Sequence, residues 1–199
     1  MITIRKAAES DAQDIFDIRS RAIVDKCSAY YSEEQLSIWT QGEMSDGFIS
    51  DVVQTFHVSE VDDRVIGSGK INIETGMIDA IFVDPDFSGK GAAKQMLQFL
   101  EELAIQHNLP LMKLESTLNA AEFYRSCGFI GDELSTYHSP RGISLDCIPM
   151  EKPLLAQINS ANTNLGAVFT FPLHSFLTSN LVSNFSLLYR QVSHYEELL

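Results

Sequence analysis

The residues whose types and spacing could do chemistry gather at one junction. Ser88-Gly89-Lys90-Gly91-Ala92-Ala93 follows a nearly continuous apolar run, residues 77–83. It precedes Ala93, Met96, Leu97, Leu100, Leu103 and Ala104, which recur at the three- and four-residue spacing of an amphipathic helix. A strand, a glycine turn and a helix in that order suit an anion. The first helical turn has N–H groups without intrahelical acceptors, and the helix dipole adds partial positive charge there. Gly89 and Gly91 let the backbone approach a ligand with no Cβ in the way, and Lys90 adds a cation. A phosphate or pyrophosphate is the natural occupant, although the same residues also suit a tight turn with glycines for packing. No Gly-Lys-Ser/Thr of a P-loop is present, and the third glycine of the dinucleotide fingerprint is missing.

A proton acceptor is sought nearby. Asp79 lies within the apolar run, on the side of Ile81 and Val83 if the strand alternates with period two. A carboxylate among apolar neighbours has a raised pKa and can take a proton directly or through water. Its alternative is a structural carboxylate bonded to backbone. Glu115, at the end of the next strand, is a rival, and water alone is a third choice. His57 and His138 are more distant candidates that read as surface or loop histidines.

The elements that must position these groups can be read in order. Residues 2–7 alternate as a first strand. Ser10-Asp11-Ala12-Gln13 has the form of a capping box, and Ile15, Ile18 and Ala22 mark one face of the helix after it. Ser32 and Gln35 form a second box with Tyr31 placed to staple to Leu36, and Trp39 follows on that helix. A short helix over 46–53 comes next. Strands over 55–61, 65–73 and 77–83, separated by Asp62-Asp63-Arg64 and Glu74-Thr75-Gly76, make a meander. After the long helix, Asn108-Leu109-Pro110 breaks the chain, and 111–114 is a short strand. Asn119-Ala120-Ala121-Glu122 is a third capping box, with the helix ending at Cys127-Gly128. Strands over 129–134 and 143–151 close the order. The fold class is α/β, a mixed, mostly antiparallel sheet flanked by helices.

Composition bounds the function. The chain has 199 residues, 45% of them hydrophobic, and a formal net charge of −13. That charge argues against nucleic acid and anionic membrane as partners, and weakly favours a cationic one. There is no apolar run of about 18 residues for a membrane span, and the N-terminus lacks the apolar core of a signal peptide. Cys27, Cys127 and Cys147 are few, odd in number and widely spaced, which fits a reducing cytoplasm better than a disulfide framework or a metal site.

The turn resembles the pyrophosphate loop of the GNAT superfamily of acetyltransferases. That loop reads Gln/Arg-x-x-Gly-x-Gly/Ala after a strand ending Val-x-Pro. The matching residues here are Val83, Pro85, Ser88, Gly91 and Ala93, and Ser88 departs from the usual Gln or Arg. Asn119-Ala120-Ala121-Glu122-Phe123-Tyr124-Arg125-Ser126-Cys127-Gly128-Phe129 resembles the family's second motif, an Asn followed by Phe-Tyr-x-x-x-Gly-Phe, with three residues here between Asn119 and Phe123. Met150-Glu151-Lys152-Pro153-Leu154 resembles its closing strand, so the likeness covers roughly residues 1–154.

The resemblance implies direct transfer of acetyl from acetyl-CoA, the co-substrate, to a primary amine of a small molecule or protein, with no metal. Backbone groups of Ile81, Phe82 and Val83 would hold the pantetheine arm and the thioester oxygen. Ser88, Gly89, Lys90, Gly91, Ala92 and Ala93 would cradle the pyrophosphate. Asn119 would bind the arm or position the sulfur, and Phe123, which also reads as core, joins the coenzyme-binding set. Tyr124 would protonate the sulfur, its other reading being a half-buried aromatic. Tyr30, Tyr31 and Trp39 either wall the acceptor pocket or fill the core. The alternative function, which the drifted Ser88 suggests, is a catalytically silent acyl-CoA-binding sensor or scaffold.

Residues 155–199 match none of this. Residues 155–166 are rich in Asn, Ser, Thr and Ala and read as a linker. Leu177, Leu181, Phe185, Leu188 and Val192 recur at helical spacing, which predicts a C-terminal helical extension over 176–199. Such a stripe must be buried, against its own domain or in a homodimer.

Overall fold

The computed structural model describes residues 1–154. The expected linker and C-terminal extension lie outside the described residues. Strand β1 (Thr3–Lys6) leads through a 3-10 turn (Glu9–Asp11) into α1 (Ala12–Cys27), α2 (Glu33–Thr40) and α3 (Asp46–Thr55). The meander β2 (His57–Val61), β3 (Arg64–Ile71) and β4 (Ile78–Val83) follows. A 3-10 turn (Pro85–Phe87), α4 (Ala92–Gln106), β5 (Leu111–Thr117), α5 (Ala121–Ser126), β6 (Ser135–His138) and β7 (Ser144–Pro153) complete the fold.

Among the described residues seven strands form two antiparallel sheets, in the orders β1-β2-β3-β4 and β5-β7-β6. Among the described residues one parallel bridge, Met77 with Lys113, joins them, and the Lys113 N–H donates to Gly76 O at 2.9 Å. Beyond that bridge β4 and β5 part, and a cleft opens between them. The expected mixed sheet is therefore split.

Core packing follows the apolar patterns. Met96, Leu97, Leu100 and Ala104 of α4 are buried against Ile71, Ile78, Met112 and Leu114 on one face. Each such methionine, leucine or isoleucine side chain contributes about 1.5–3 kcal/mol by leaving water. Phe48 and Val52 of α3 join Ile15 and Ile18 of α1 on the other face, over Val58, Val65 and Ala80. The expectation that β4 is covered on both faces is met.

Local expectations fared unevenly. Ser32 accepts from the Gln35 N–H at 3.1 Å while Gln35 accepts from the Ser32 N–H at 2.8 Å, the reciprocal box expected of α2. Asp62 and Asp63 take left-handed φ of 50° and 61°, as a two-residue hairpin demands. The box at Ser10 is replaced by Asp11, whose carboxylate accepts from the Ala8 N–H at 2.7 Å and from Arg5 at 2.6 Å. The box at Asn119 is not formed either. Ala120 caps α5, and Asn119 instead accepts from the Cys27 thiol at 3.4 Å. Residues 129–134 make only the isolated bridge of Ile130 with Glu151, and the strand falls later, at β6. The apolar Phe129 is core under α5 rather than part of a ladder.

Candidate active site

The cleft between β4 and β5 holds about 400 Å³ and is lined by Ile81, Phe82, Val83, Ser88, Ala93, Asn119, Phe123 and Tyr124. Eight residues that the sequence singles out thus come together from β4, the glycine turn, α4, the loop before α5 and α5 itself. Its floor is completed by Lys26 and Cys27 of α1 and by Ser116 and Thr117 of β5, which carry no motif and were not foreseen. Lys26 and Cys27 could have been sought only by asking what α1 faces, which is a tertiary question.

At one end of the cleft stands the glycine turn. Gly89 and Gly91 have φ of +75° and +88°, conformations that L side chains rarely adopt. A Cβ added at Gly89 would meet nothing within 4 Å, and one at Gly91 only the Gln95 amide nitrogen at 3.8 Å. Glycine is thus required by the backbone, and the space beside it is open. Gly91 caps α4, so the N–H groups of the first helical turn face outward at this point. This arrangement fits an anionic ligand. Lys90 does not lie over the turn. Its ammonium donates to Asp86 O at 3.0 Å and sits 4.5 Å from the Phe87 ring centroid.

The strand-to-turn corner is fastened by Asp84, which is 2% exposed. Its carboxylate accepts from Arg64 at 2.8 Å, from Arg21 at 3.2 Å and from the Asp86 N–H at 3.0 Å. Burial pushes its carboxyl up, but the Asp86 N–H and the two arginines outweigh burial and hold it below the usual range. A carboxyl depressed in the folded state stabilises at neutral pH, and that contribution is lost as pH falls through its folded-state pKa. Asp84→Ala is expected to cost about 2 kcal/mol, the scale of hydrogen bonds to a charged group, measured by denaturant unfolding at neutral pH. The deficit relative to wild type should shrink in acid.

Tyr124 lies on α5 with its ring edge-on to Phe123 at 5.1 Å and to Phe129 at 5.7 Å. Burial pushes its phenol above the ordinary value, with Cys127 adding to the rise, so the hydroxyl keeps its proton across the working range.

A second, smaller cavity of about 140 Å³ adjoins the cleft under α2. It is lined by Arg19, Tyr31, Trp39, Tyr137, Leu145 and Asp146 among others, and it shares Asp79, Phe82 and Glu115 with the cleft. The Tyr31 hydroxyl donates to Asp146 O at 2.7 Å and accepts from the Leu118 N–H at 3.1 Å. It thereby ties the start of α2 to β7 and to the loop after β5. Tyr31 and Trp39 pack edge-on at 5.6 Å, so they serve the core and the cavity wall together. Tyr30 is exposed and lies on neither lining.

Asp79 is not on the side that strict alternation predicts. Lys70 pairs with Ala80 and Ile71 with Ile78, so Asp79 is the extra residue of a β-bulge. Ile78 and Ile81 both face α4, whereas the Asp79 carboxylate lies 4.0 Å from the buried Lys70 ammonium on the opposite face. Lys70 is held at 2.8 Å by Asp51 of α3. Burial pushes the Asp79 carboxyl up to about 6, with Lys70 opposing the rise and Asp51 adding to it. Burial also raises Glu115.

The histidines are elsewhere. His57 is half-buried on β2 against Phe99, at 4.8 Å between ring centroids, and burial lowers its pKa to about 4. The surface or loop reading of His57 is thereby corrected. His138 is on β6, exposed, with Nδ1 2.9 Å from Ser144 Oγ. Neither lines the cleft or the cavity. Among the described residues no group of three His, Cys, Asp or Glu is placed to hold a metal, and no helix is long and apolar enough to cross a membrane.

Comparison with known proteins adds the following. Residues 27–154 match the family described as acetyltransferase (GNAT) domain. A relative from Escherichia coli (strain K12), the uncharacterized N-acetyltransferase YafP, is 28% identical over 134 residues, which are 64% of this chain and 81% of that protein. A GCN5-related N-acetyltransferase from Rhodopseudomonas palustris superposes with a TM-score of 0.70 at 22% identity, covering 76% of this chain and 95% of that one. The PaiA N-acetyltransferase from Thermoplasma acidophilum, solved in complex with coenzyme A, gives 0.58 at 17% identity, covering 77% and 99%.

Proposed function

The chain belongs to the GNAT acetyltransferase family, and from that premise we propose that it moves acetyl from acetyl-CoA to a primary amine by direct attack. The observation that carries this reading is the cleft between the parted strands, with the glycine turn at one end and the Asp79 and Tyr124 side chains on its walls. The helix N-terminus behind Gly91 takes the pyrophosphate. The parted edge of β4 offers the Ile81–Val83 backbone to the pantetheine arm, since its ladder partners lie only on the β3 side there.

The amine enters from the smaller cavity. An alkylammonium has a pKa of about 10.4, so it must lose a proton before it can attack. Asp79 is the acceptor for that proton, directly or through water, with Glu115 the second carboxylate on the same wall. The amine nitrogen then bonds to the thioester carbonyl carbon, and the resulting oxyanion is met by backbone N–H donors of β4. As the C–S bond breaks, the electron pair stays on sulfur and the Tyr124 hydroxyl supplies a proton to it. Asn119, tied to Cys27, borders that same end of the cleft. The products are an acetylated amine and free coenzyme A.

Thiol release with a panel of primary amines tests this. Release is expected with at least one amine and in proportion to it. Thiol release unaffected by any amine, with acetyl-CoA still bound, would leave a coenzyme-binding module instead. A base works deprotonated, so kcat/KM should fall as pH drops through about 6, the value to which burial brings Asp79. In Asp79→Asn the rate should drop about 10²-fold or more and the limb at that pH should vanish. A limb that persists there in the variant passes the role to Glu115 or to water.

A further inference from the structure

The bulge in β4 brings Asp79 to a charge that the reaction can use. Bulges re-aim side chains beside active sites. This one puts the Asp79 carboxylate on the side of the sheet that carries Lys70, at 4.0 Å from its ammonium. Lysine is almost never fully buried unless paired, and Lys70 is 6% exposed in a strand that is buried from residue 65 to residue 71. Its ammonium donates to both carboxylate oxygens of Asp51, on α3, at 3.0 and 2.8 Å, and lies 5.6 Å from the Phe56 ring centroid. Asp51 also accepts from the Thr55 hydroxyl at 2.9 Å.

A structural ion pair is complete with Lys70 and Asp51. Asp79 adds a second carboxylate and leaves the trio with an excess negative charge. The distances say which carboxylate is the looser one. Asp51 takes the ammonium at hydrogen-bond length, whereas Asp79 stands beyond it. Asp79 is also the one of the two that lines the smaller cavity and the cleft. The carboxylate that meets the reaction space is therefore the one left to exchange a proton. Other titratable groups face this region from the elements packed around it. Arg19 of α1, Tyr31 ahead of α2, Glu115 of β5, Tyr137 of β6 and Cys147 of β7 share the cavity lining, and Lys26 of α1 lines the cleft. Lys6 of β1 feels the charge of Asp51. Burial raises the Asp79 carboxyl most, Lys70 opposes the rise and Asp51 adds to it.

We propose, resting on the acetyl-transfer reading above, that Lys70 and Asp51 are positioning residues for the proton acceptor: Asp51 of α3 fixes the ammonium, and the ammonium holds the Asp79 carboxylate toward the reaction space. The pair thereby sets the pH at which Asp79 works as a base. The two charges act with opposite sign. Without the cation the Asp79 carboxyl rises, and without the Asp51 anion it falls. A base works deprotonated, so the acid limb of kcat/KM moves up in pH in Lys70→Met and down in Asp51→Asn. Loss of a merely structural pair would lower stability in both variants and move the limb in neither.

The test follows kcat/KM against pH by thiol release in the full chain, with the best amine of the panel. Lys70→Met should raise the limb by about one pH unit, the low end of the effect of a nearby opposite charge, so that near pH 6 the rate falls about fivefold. Asp51→Asn should lower the limb by about half a unit. Lys70→Arg keeps the charge and should leave the limb near its wild-type place. The double variant of Asp51→Asn with Lys70→Met leaves no unpaired partner in the interior, and its limb should lie above that of Asp51→Asn alone. NMR of the Asp79 side-chain carboxyl, without substrate, reads the same movements directly and reports that each variant is folded. A carboxyl that titrates alike in all of them overturns the proposal, while acetyl transfer stands. A carboxyl that moves while the limb stays put removes Asp79 as proton acceptor and the proposal with it, again leaving acetyl transfer. No thiol release with any amine removes both.

Discussion

Gly91→Glu is expected to abolish acetyl-CoA binding, with a loss of at least about 10²-fold in calorimetry. Three effects act in the same direction. At φ +88° any side chain strains the backbone, by about 1–2 kcal/mol. The new side chain occupies open space beside the turn, where a Cβ has no neighbour nearer than Gln95 at 3.8 Å. Its carboxylate then stands where the helix N-terminus would otherwise receive a pyrophosphate, so an attraction becomes a like-charge repulsion. Gly91→Ala separates the causes, because it carries the strain but neither the reach nor the charge. It should weaken binding only modestly, and circular dichroism of both variants should show the helix intact. Undiminished affinity in Gly91→Glu would remove the turn from the coenzyme site.

Tyr124→Phe is expected to lower kcat about 10²-fold while the dissociation constant for acetyl-CoA stays within a factor of about two. The variant keeps the ring and its edge-on contacts with Phe123 and Phe129, so packing changes little. Only the hydroxyl is lost. In the proposed role that hydroxyl acts as the thiolate departs, which is an interaction of the transition state and not of the bound substrate. Because burial keeps the phenol protonated, wild-type activity should not fall on the alkaline side at the ordinary tyrosine pKa. Wild-type turnover in the variant would return Tyr124 to a structural aromatic.

The fold was largely legible because its signals are local. The α4 stripe, the reciprocal box of Ser32 with Gln35 and the two-aspartate hairpin each arise within about ten residues of chain, where periodicity and capping act. The glycine turn was legible for the same reason. Left-handed φ at Gly89 and Gly91 is a property of the backbone there and needs no neighbour. The box at Ser10 failed to a local competitor and the box at Asn119 to a distant one. Arg5 and the Ala8 N–H draw on Asp11, and the Cys27 thiol, 92 residues away in sequence, draws on Asn119.

The sequence by itself determined most of the order of elements, the left-handed glycine turn, the residues of β4 and α5 that line the cleft, and the family those motifs resemble. Only the tertiary structure decided which way Asp79 points. A one-residue bulge opposite Lys70 and Ile71 reverses the side that period two assigns, and pairing register is set between strands, not along one. The smaller cavity likewise exists only once Tyr31 bridges β7 to the loop after β5, with Asp79 and Glu115 on its lining. Those two residues come from strands of different sheets, and no spacing in the chain records that they line one cavity.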